Sequence, residues 1–468
     1  MVSSLLVRSV DESASGVRRS IDAATILTVY VVVLLSIRSV LVVPALGTAG
    51  APATIVAIGA FLWWVWYHVQ RAYRIDLGFQ PLRIAVLGLL LAVMASYVLA
   101  MSGPMPGNEL TPADSGLLRM IGLAGVAMIA AEGISSLDRL HAVARRLVTG
   151  IGLVAMLGLA QFVTRQPLVD RISIPGLSAR GIEIGLYERS GMPRLSGTST
   201  HPIEYGVILS MVLPLVIVYA LHAPTRRWFY RVLLLCVAIA IFMVLSRSAI
   251  LCTGIAILVL ALRWSWRMRL VGLSCVAAVS VLVYLTVPGM LGVLTGLFVG
   301  AGDDASVASR TGSYGVAFQF IARDPWLGRG PGTFLPQYWI LDNQYLGHTI
   351  ETGLIGMAAL LAVIVVAAFT ARSARNAATT DFDRELAQGL LAGVLAGATA
   401  MAFYDLFAFP QSSGCFILMV GLAGALHRLV RRPPAGPQPG GTTPPSDQTL
   451  PRQTLPGAEV SKDAIGNQ

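Results

Sequence analysis

The sequence is poor in charge. Of its 468 residues only 12% are Asp, Glu, Lys or Arg, where a soluble domain carries about 25%. That excludes a soluble enzyme, a nucleic-acid-binding protein and a disordered scaffold. Lysine is almost absent: Lys462 is the only one, so arginine carries nearly all of the positive charge behind the net +10. The arginines are spread in small groups between apolar segments, without the clustered footprint that nucleic acid demands. Cysteine is scarce too. Cys236, Cys252, Cys275 and Cys415 all fall inside apolar runs with no CxxC and no metal-ligand spacing. They read as small buried hydrophobes, and neither a disulfide framework, a metal site nor a cofactor is expected.

What is abundant is long apolar stretches. Hydrophobic residues make up 55% of the chain and the mean hydropathy is +0.71. A helix that crosses a bilayer needs about 20 predominantly apolar residues. Apolar runs bounded by polar punctuation predict an all-α polytopic membrane protein of about twelve transmembrane helices with two long extracytoplasmic loops. The runs lie near 21–43, 53–70, 82–101, 115–134, 147–163, 204–221, 232–246, 248–262, 270–288, 349–371, 386–405 and 412–429. The first follows Arg8, Arg18 and Arg19 and lacks a small-residue cleavage site, so it reads as an uncleaved anchor.

Arginine placement orients the chain. With the N-terminus in the cytoplasm, the inner connections carry Arg71, Arg74 and Arg83; Arg139, Arg145 and Arg146; Arg226, Arg227 and Arg231; Arg263, Arg267 and Arg269; and Arg372, Arg375 and Arg384. The short outer connections 44–52, 102–114 and 406–411 carry none. This is the positive-inside pattern and places both termini in the cytoplasm of an inner (plasma) membrane protein. The long outer loops 164–203 and 289–348 break it with Arg165, Arg171, Arg180, Arg189, Arg194, Arg310, Arg323 and Arg329. Long loops translocate regardless of charge, so the topology stands and the arginines need another explanation. A membrane domain over 1–430 is followed by a Pro/Gly/Thr-rich tail, 431–468, expected to be a disordered cytoplasmic segment. Trp63, Trp64, Trp66, Trp264 and Trp266 read as aromatic belt residues at the inner interface.

Three outer segments hold the residues suited to chemistry. In RLSGTSTHPIEYG (194–206), Thr198, Ser199 or Thr200 suits a helix cap and Pro202 a first turn. His201 and Glu204 then lie near the outer surface, either as an interfacial polar turn or in contact with substrate. In LSRSA (245–249), Arg247 sits at a tight reversal, where it either snorkels to lipid phosphates or holds a ligand. In 289–348, a short helix with apolar Val316, Phe318, Phe320 and Ile321 is expected to lie along the membrane surface. DPWLGRGPGTF must be a loop, and its GxGxG has neither the strand before it nor the helix after it that a nucleotide site needs. Asp342 and His348 follow at the outer mouth of the next helix, where a proton acceptor would be useful. Arg38, Arg119 and Asp405 at span edges, and Glu132 near an inner end, read as snorkelling or structural charges.

Arginine forks match phosphate oxygens bidentately and stay charged beside a low-dielectric surface. Arg247, Arg310 and the Arg-rich loops beside an acid/base group therefore suit a lipid-linked diphosphate and an acceptor hydroxyl. In order, GTSTHPIEYG, SRSA, SRTGSY, DPWLGRGPGTF and DNQYLGHTIETGLIG resemble the O-antigen ligase/polymerase family of membrane glycosyltransferases over roughly residues 190–370. The resemblance implies metal-independent transfer, on the outer face, of a saccharide from a polyprenyl-diphosphate carrier to an acceptor glycan or glycolipid. It implies that Arg247 and Arg310 hold the diphosphate; Arg329, Glu204 and Asn343 are further candidate substrate contacts. Ligases of the family show histidine where this chain has Asp342, so Asp342 is the first candidate base, ahead of His348 and His201. That departure leans towards polymerases. A flippase of lipid-linked saccharides is the alternative, although its ionisable residues would be expected near the bilayer midplane.

Overall fold

The computed structural model describes residues 22–70, 80–170, 172–179, 187–189, 191–289, 292–293, 295–296 and 305–431, the side chains of 189 and 305–311 excepted. The expected tail from 432 on, residues 1–21 with their three arginines, Arg71, Arg74, Arg171 and Arg180 lie outside the described residues. Thirteen α-helices are present among the described residues. They are α1 (Ala23–Ser36), α2 (Pro52–Val69), α3 (Pro81–Ser102), α4 (Gly107–Met128) and α5 (Leu137–Thr164), then α6 (Pro202–His222), α7 (Arg227–Met243), α8 (Arg247–Ala261) and α9 (Trp266–Thr286). α10 (Ala305–Arg323), α11 (Gln344–Ala377), α12 (Asp381–Ala400) and α13 (Pro410–Val430) complete the set. The protein is all-α and polytopic, and each expected apolar run holds a helix. Among the described residues eight helices are long and apolar enough to cross a membrane, α1 and α8 being shorter apolar ones.

Local chemistry sets the helix starts. Pro52, Pro81, Pro202 and Pro410 open α2, α3, α6 and α13, where a missing N–H costs nothing. Asp22, Ser136, Ser265, Asn343 and Thr380 cap α1, α5, α9, α11 and α12 with a side-chain oxygen. α6 and α13 form the centre, their apolar windows 89% and 83% buried, whereas that of α9 is only 6% buried and faces outward. Cys252 and Cys415 are buried as expected, but Cys275 is exposed on α9, where the surroundings of a spanning helix are apolar anyway.

One end of the bundle gathers structural ion pairs. Glu132, in the π-helical turn Ile129–Gly133, accepts from Trp64 Nε1 at 3.0 Å and pairs with Arg83 and His68 at 3.3 Å. Asp22 is forked by Arg139, which holds its carboxyl down at about 2, and His141 meets Asp383 at 2.7 Å. Trp64 is therefore part of the Glu132 network, while Trp63, Trp66 and Trp266 are exposed. At the opposite end, Arg38 pairs with Asp170 at 2.6 Å, and β1 (Leu41–Val42) pairs antiparallel with β2 (Ser178–Ala179).

That second end is organised by a break in α11. Gly353 has φ 67° and ψ −172°, which interrupts the helix after its first nine residues. The loop 324–334 fills the gap. Leu354 N donates to Pro325 O at 2.8 Å and Ile355 N to Trp326 O at 3.2 Å. In return Arg329 N donates to Ile350 O at 3.1 Å and Gly330 N to Glu351 O at 2.9 Å. A side chain at Gly353 would place Cβ 2.2 Å from the Trp326 carbonyl carbon, and one at Gly328 (φ 66°) would sit 2.5 Å from that of Glu351. The glycines of DPWLGRGPGTF thus let two backbones meet. α10 packs on the same unit through Ser313, Ala317, Phe320 and Ile321. The expected surface helix is real, but its apolar face turns onto α11, and Phe318, counted in that face from sequence, points outward at 61% exposure.

Gly353→Ala combines a left-handed backbone with a backbone clash and should lower stability by roughly 2–4 kcal/mol. A thermal unfolding scan of the detergent-solubilised protein should show a marked fall in Tm. Gly59→Ala, in α2 with nothing within 4 Å of the new Cβ, should leave it level or slightly raised.

Candidate functional site

The RLSGTSTHP segment is held from every side. Arg194 follows the hairpin of β3 (Glu188–Arg189) and β4 (Met192–Pro193), and its N–H donates to Tyr187 O at 2.7 Å. Gly197 exchanges both backbone hydrogen bonds with the Gln161 amide, at 2.9 and 3.1 Å. Thr198 Oγ1 donates to Leu35 O at 2.8 Å, and Gln411 Nε2 donates to Thr198 Oγ1 at 2.9 Å. The cap of α6 is His201 itself, whose Nδ1 accepts from Ile203 N at 3.1 Å, and not Thr198, Ser199 or Thr200. Those three hydroxyls are taken up in contacts with other segments, which frees the next residue to cap. Burial, and then the charge of Arg194, push the His201 pKa down to about 4, so the ring is neutral at pH 7 with Nδ1 as acceptor and Nε2 carrying the proton.

Glu204 is fully buried. It accepts from Thr200 N at 2.8 Å, Gln411 N at 2.8 Å and Ser39 Oγ at 3.0 Å, so it ties α6, α13 and the segment after α1 together. Its hydrogen-bonding capacity is spent inside the fold, which supports the structural side of the two readings of this turn.

Arg247 opens α8. The three residues before it, Val244, Leu245 and Ser246, make the reversal from α7, with Leu245 at φ 54° although its side chain is fully buried. A branched residue in the left-handed region costs about 1–3 kcal/mol and persists only where the surroundings dictate it. Arg194 Nε donates to Val244 O at 3.1 Å, satisfying a carbonyl that the helix end leaves over.

A third group surrounds the start of α11. Asp342 has φ 47°, a left-handed backbone that aspartate tolerates better than most residues. Asn343 caps the helix by accepting from Leu346 N at 3.2 Å. Gln344 then fixes the unit against the connection 401–409: its N–H donates to Met401 O at 2.8 Å and its Oε1 accepts from Phe407 N at 2.6 Å. That connection brings in Asp405, whose carboxyl is raised above the usual range by burial, with the charge of Asp342 adding and that of Arg119 opposing. Arg119, from α4, donates Nη1 to Phe407 O at 2.7 Å, so its role is structural as well as electrostatic. Glu351 accepts from the N–H groups of Gly332 and Phe334 and feels both Arg119 and Asp405. A cation and three carboxylates from four segments thus gather at one end of the bundle.

The other expected residues fall elsewhere. His348 is turned inward at 3% exposure, its ring 6.1 Å from that of Phe407. Arg329 is committed to Glu109, itself 1% exposed, at 2.6 Å, and its guanidinium lies over the rings of Phe320 and Tyr338 at 5.2 and 5.1 Å. The Arg310 backbone belongs to α10, and its side chain lies outside the described residues. The sequence reading missed three contributors. Asp405 was visible as an acid at a span edge, Glu351 as the acid of ETGLIG, and Arg194 as the arginine leading into GTSTHP. Among the described residues no group of three or more His, Cys, Asp or Glu side chains has metal-holding geometry.

Comparison with known proteins meets this geometry in one segment. Residues 232–361 match the family model described as O-antigen ligase. A search of curated proteins finds no match. The resemblance carried by the motifs is borne out over that segment, which holds Arg247, Arg310, Arg329, Asp342, Asn343 and His348, while Arg194, His201, Glu204 and Asp405 lie outside it.

Because the fold favours neutral Asp405, its ionised form costs stability, a cost that grows as pH rises through the raised folded-state value. Below the unfolded carboxyl value of about 3.9 the group is protonated in both states and the cost vanishes. Asp405→Asn, which keeps an acceptor for Ala408 N, should therefore raise Tm at pH 7 to 8. The gain should shrink to nothing in scans at progressively lower pH.

Proposed function

We propose that this chain, of the O-antigen ligase/polymerase family through residues 232–361, transfers a saccharide from a polyprenyl-diphosphate carrier to a hydroxyl of an acceptor glycan. The family match supports a multi-pass membrane enzyme of polysaccharide assembly; carrier, acceptor and roles are our reading. The arginine count of the connections supports cytoplasmic termini, which puts the end holding Asp342, Arg247 and Asp405 on the extracytoplasmic face. There a polyprenyl chain stays in the bilayer while its diphosphate meets guanidinium groups.

In this mechanism Arg247 and Arg310 hold the diphosphate. Asp342 accepts the proton of the acceptor hydroxyl as its oxygen attacks the anomeric carbon. The bond from that carbon to the diphosphate oxygen breaks, and the electron pair leaves with the lipid diphosphate, whose charge the arginines stabilise. The observation that carries this reading is Asp342 itself: a carboxylate in a left-handed backbone, at the start of α11 and coupled to Asp405, inside the matched segment. A strained polar residue at a helix start is the kind of feature that marks a site. His348, turned inward, is less well placed as base, and neutral His201 could donate a hydrogen bond from Nε2. Arg329, bound to Glu109, holds the loop 324–334, and Asn343 keeps the Asp342 turn in place.

The test uses the full chain in nanodiscs with a polyprenyl-diphosphate oligosaccharide, following lipid diphosphate release and glycan length. Asp342→Asn should lower turnover by about 10²–10⁴-fold, the usual contribution of a positioned base. Arg247→Ala should weaken use of the donor by about ten- to a hundredfold, as loss of charge-assisted hydrogen bonds does. Chain growth identifies a polymerase and single transfer to a separate acceptor a ligase. In liposomes, movement of the lipid between leaflets with no change in any glycan would refute the enzyme reading and leave the flippase.

A further inference from the structure

One arginine has so far been given no part in binding or transfer. Arg194 lies on the external segment ahead of α6, outside the matched region, yet its side chain reaches the reversal that presents Arg247. Its Nε donates to Val244 O at 3.1 Å, and the next residues are the left-handed, fully buried Leu245 and then Ser246, the cap position of α8. Ser246 Oγ and Ser248 Oγ lie 3.0 Å apart across the Arg247 backbone. Leu245 cannot relax to an ordinary backbone without turning the first residue of α8, and Arg247 is that residue. Arg194 is fixed in its own right by the β3–β4 hairpin, by its N–H bond to Tyr187 O and by the clamped Gly197 three residues on.

We propose that Arg194 is a positioning residue: by bonding the Val244 carbonyl it holds the strained reversal that sets the direction of Arg247 towards a diphosphate. This rests on the reading of Arg247 as a diphosphate ligand and deepens it. The device is economical in charge. A lysine or a neutral donor could satisfy one carbonyl, but the planar fork leaves further N–H groups for other partners while one is committed to Val244. It also couples two segments far apart in sequence, the GTSTHP turn and the SRSA turn, through one side chain.

The experiment is a double-mutant cycle on binding, which reads inactive variants as well as active ones. The probe is farnesyl diphosphate, titrated into the detergent-solubilised full chain by thermophoresis. If Arg194 acts through Arg247, Arg194→Ala should weaken binding about tenfold in the wild-type background, a coupling usual within one contact network. In the Arg247→Ala background the same substitution should change Kd less than about twofold. Arg194→Lys, which keeps one donor for Val244 O, should recover most of the loss and serves if the alanine variant folds poorly. Equal penalties in both backgrounds would overturn the proposal, because Arg194 would then touch the ligand directly or act on the whole fold. No penalty from Arg194→Ala beside a clear one from Arg247→Ala would also overturn it while leaving the diphosphate reading intact. No penalty from Arg247→Ala would remove the reading on which it stands.

Discussion

The interrupted helix α11 is the constraint on which the functional end depends. Inside a bilayer an unpaired backbone group costs several kcal/mol, so irregular backbone survives only where protein supplies the missing partners. Here the 324–334 loop does so reciprocally: two carbonyls of the loop take the N–H groups just after the break, and two N–H groups of the loop take the carbonyls just before it. The exchange explains several sequence features at once. Gly353 must be glycine, the loop must carry glycine where backbones touch, and Glu351 must be an acceptor for the loop's amides. The first nine residues of α11 become a short independent helix, and its start is where Asp342 stands.

At the start of α11, charge is handled differently from the one-to-one pairs found elsewhere in the bundle. At one end, Asp22 and Arg139 match single charges of opposite sign, and His141 meets the Asp383 carboxyl. At the other, Arg119 faces Asp405 and Glu351, with Asp342 next to Asp405, so carboxylates outnumber the cation at the start of α11. Burial, with the charge of Asp342 adding to it, pushes the Asp405 carboxyl towards its neutral form. In the proposed mechanism Asp342 takes the proton of the acceptor hydroxyl, and the cations are kept for the leaving group.

Much of the architecture was legible because it follows from hydropathy and arginine placement. The apolar runs located the spanning helices, Pro202 marked a helix start, and LSRSA read as a reversal. What failed to show was partnership. Nothing in RLSGTSTHP says that its hydroxyls are spent on α1 and α13, so that His201 and no Thr or Ser becomes the cap. Glu204 looked like a surface acid because it stands at a helix start; its burial depends on Gln411, 207 residues away. Arg329 and Arg247 look alike in sequence, and only the structure separates an arginine bound to Glu109 from one at a strained reversal. Phe318 was assigned to the packed face of α10 by apolarity alone, whereas the helical repeat of Ser313, Ala317, Phe320 and Ile321 turns it out.

Composition adds a last step. A chain with one lysine relies on guanidinium groups for every cationic task, and these stay charged where an ammonium would lose its proton on desolvation. The planar fork also serves two partners at once, which a membrane protein with few polar side chains needs. Arg119 supports a backbone carbonyl while biasing two carboxyls, and Arg329 joins a buried acid to two aromatic rings. Arg194 supports a carbonyl beside a neutral histidine in the same manner. Low charge and dual use are therefore linked: Arg119, Arg329 and Arg194 each carry structure and electrostatics together.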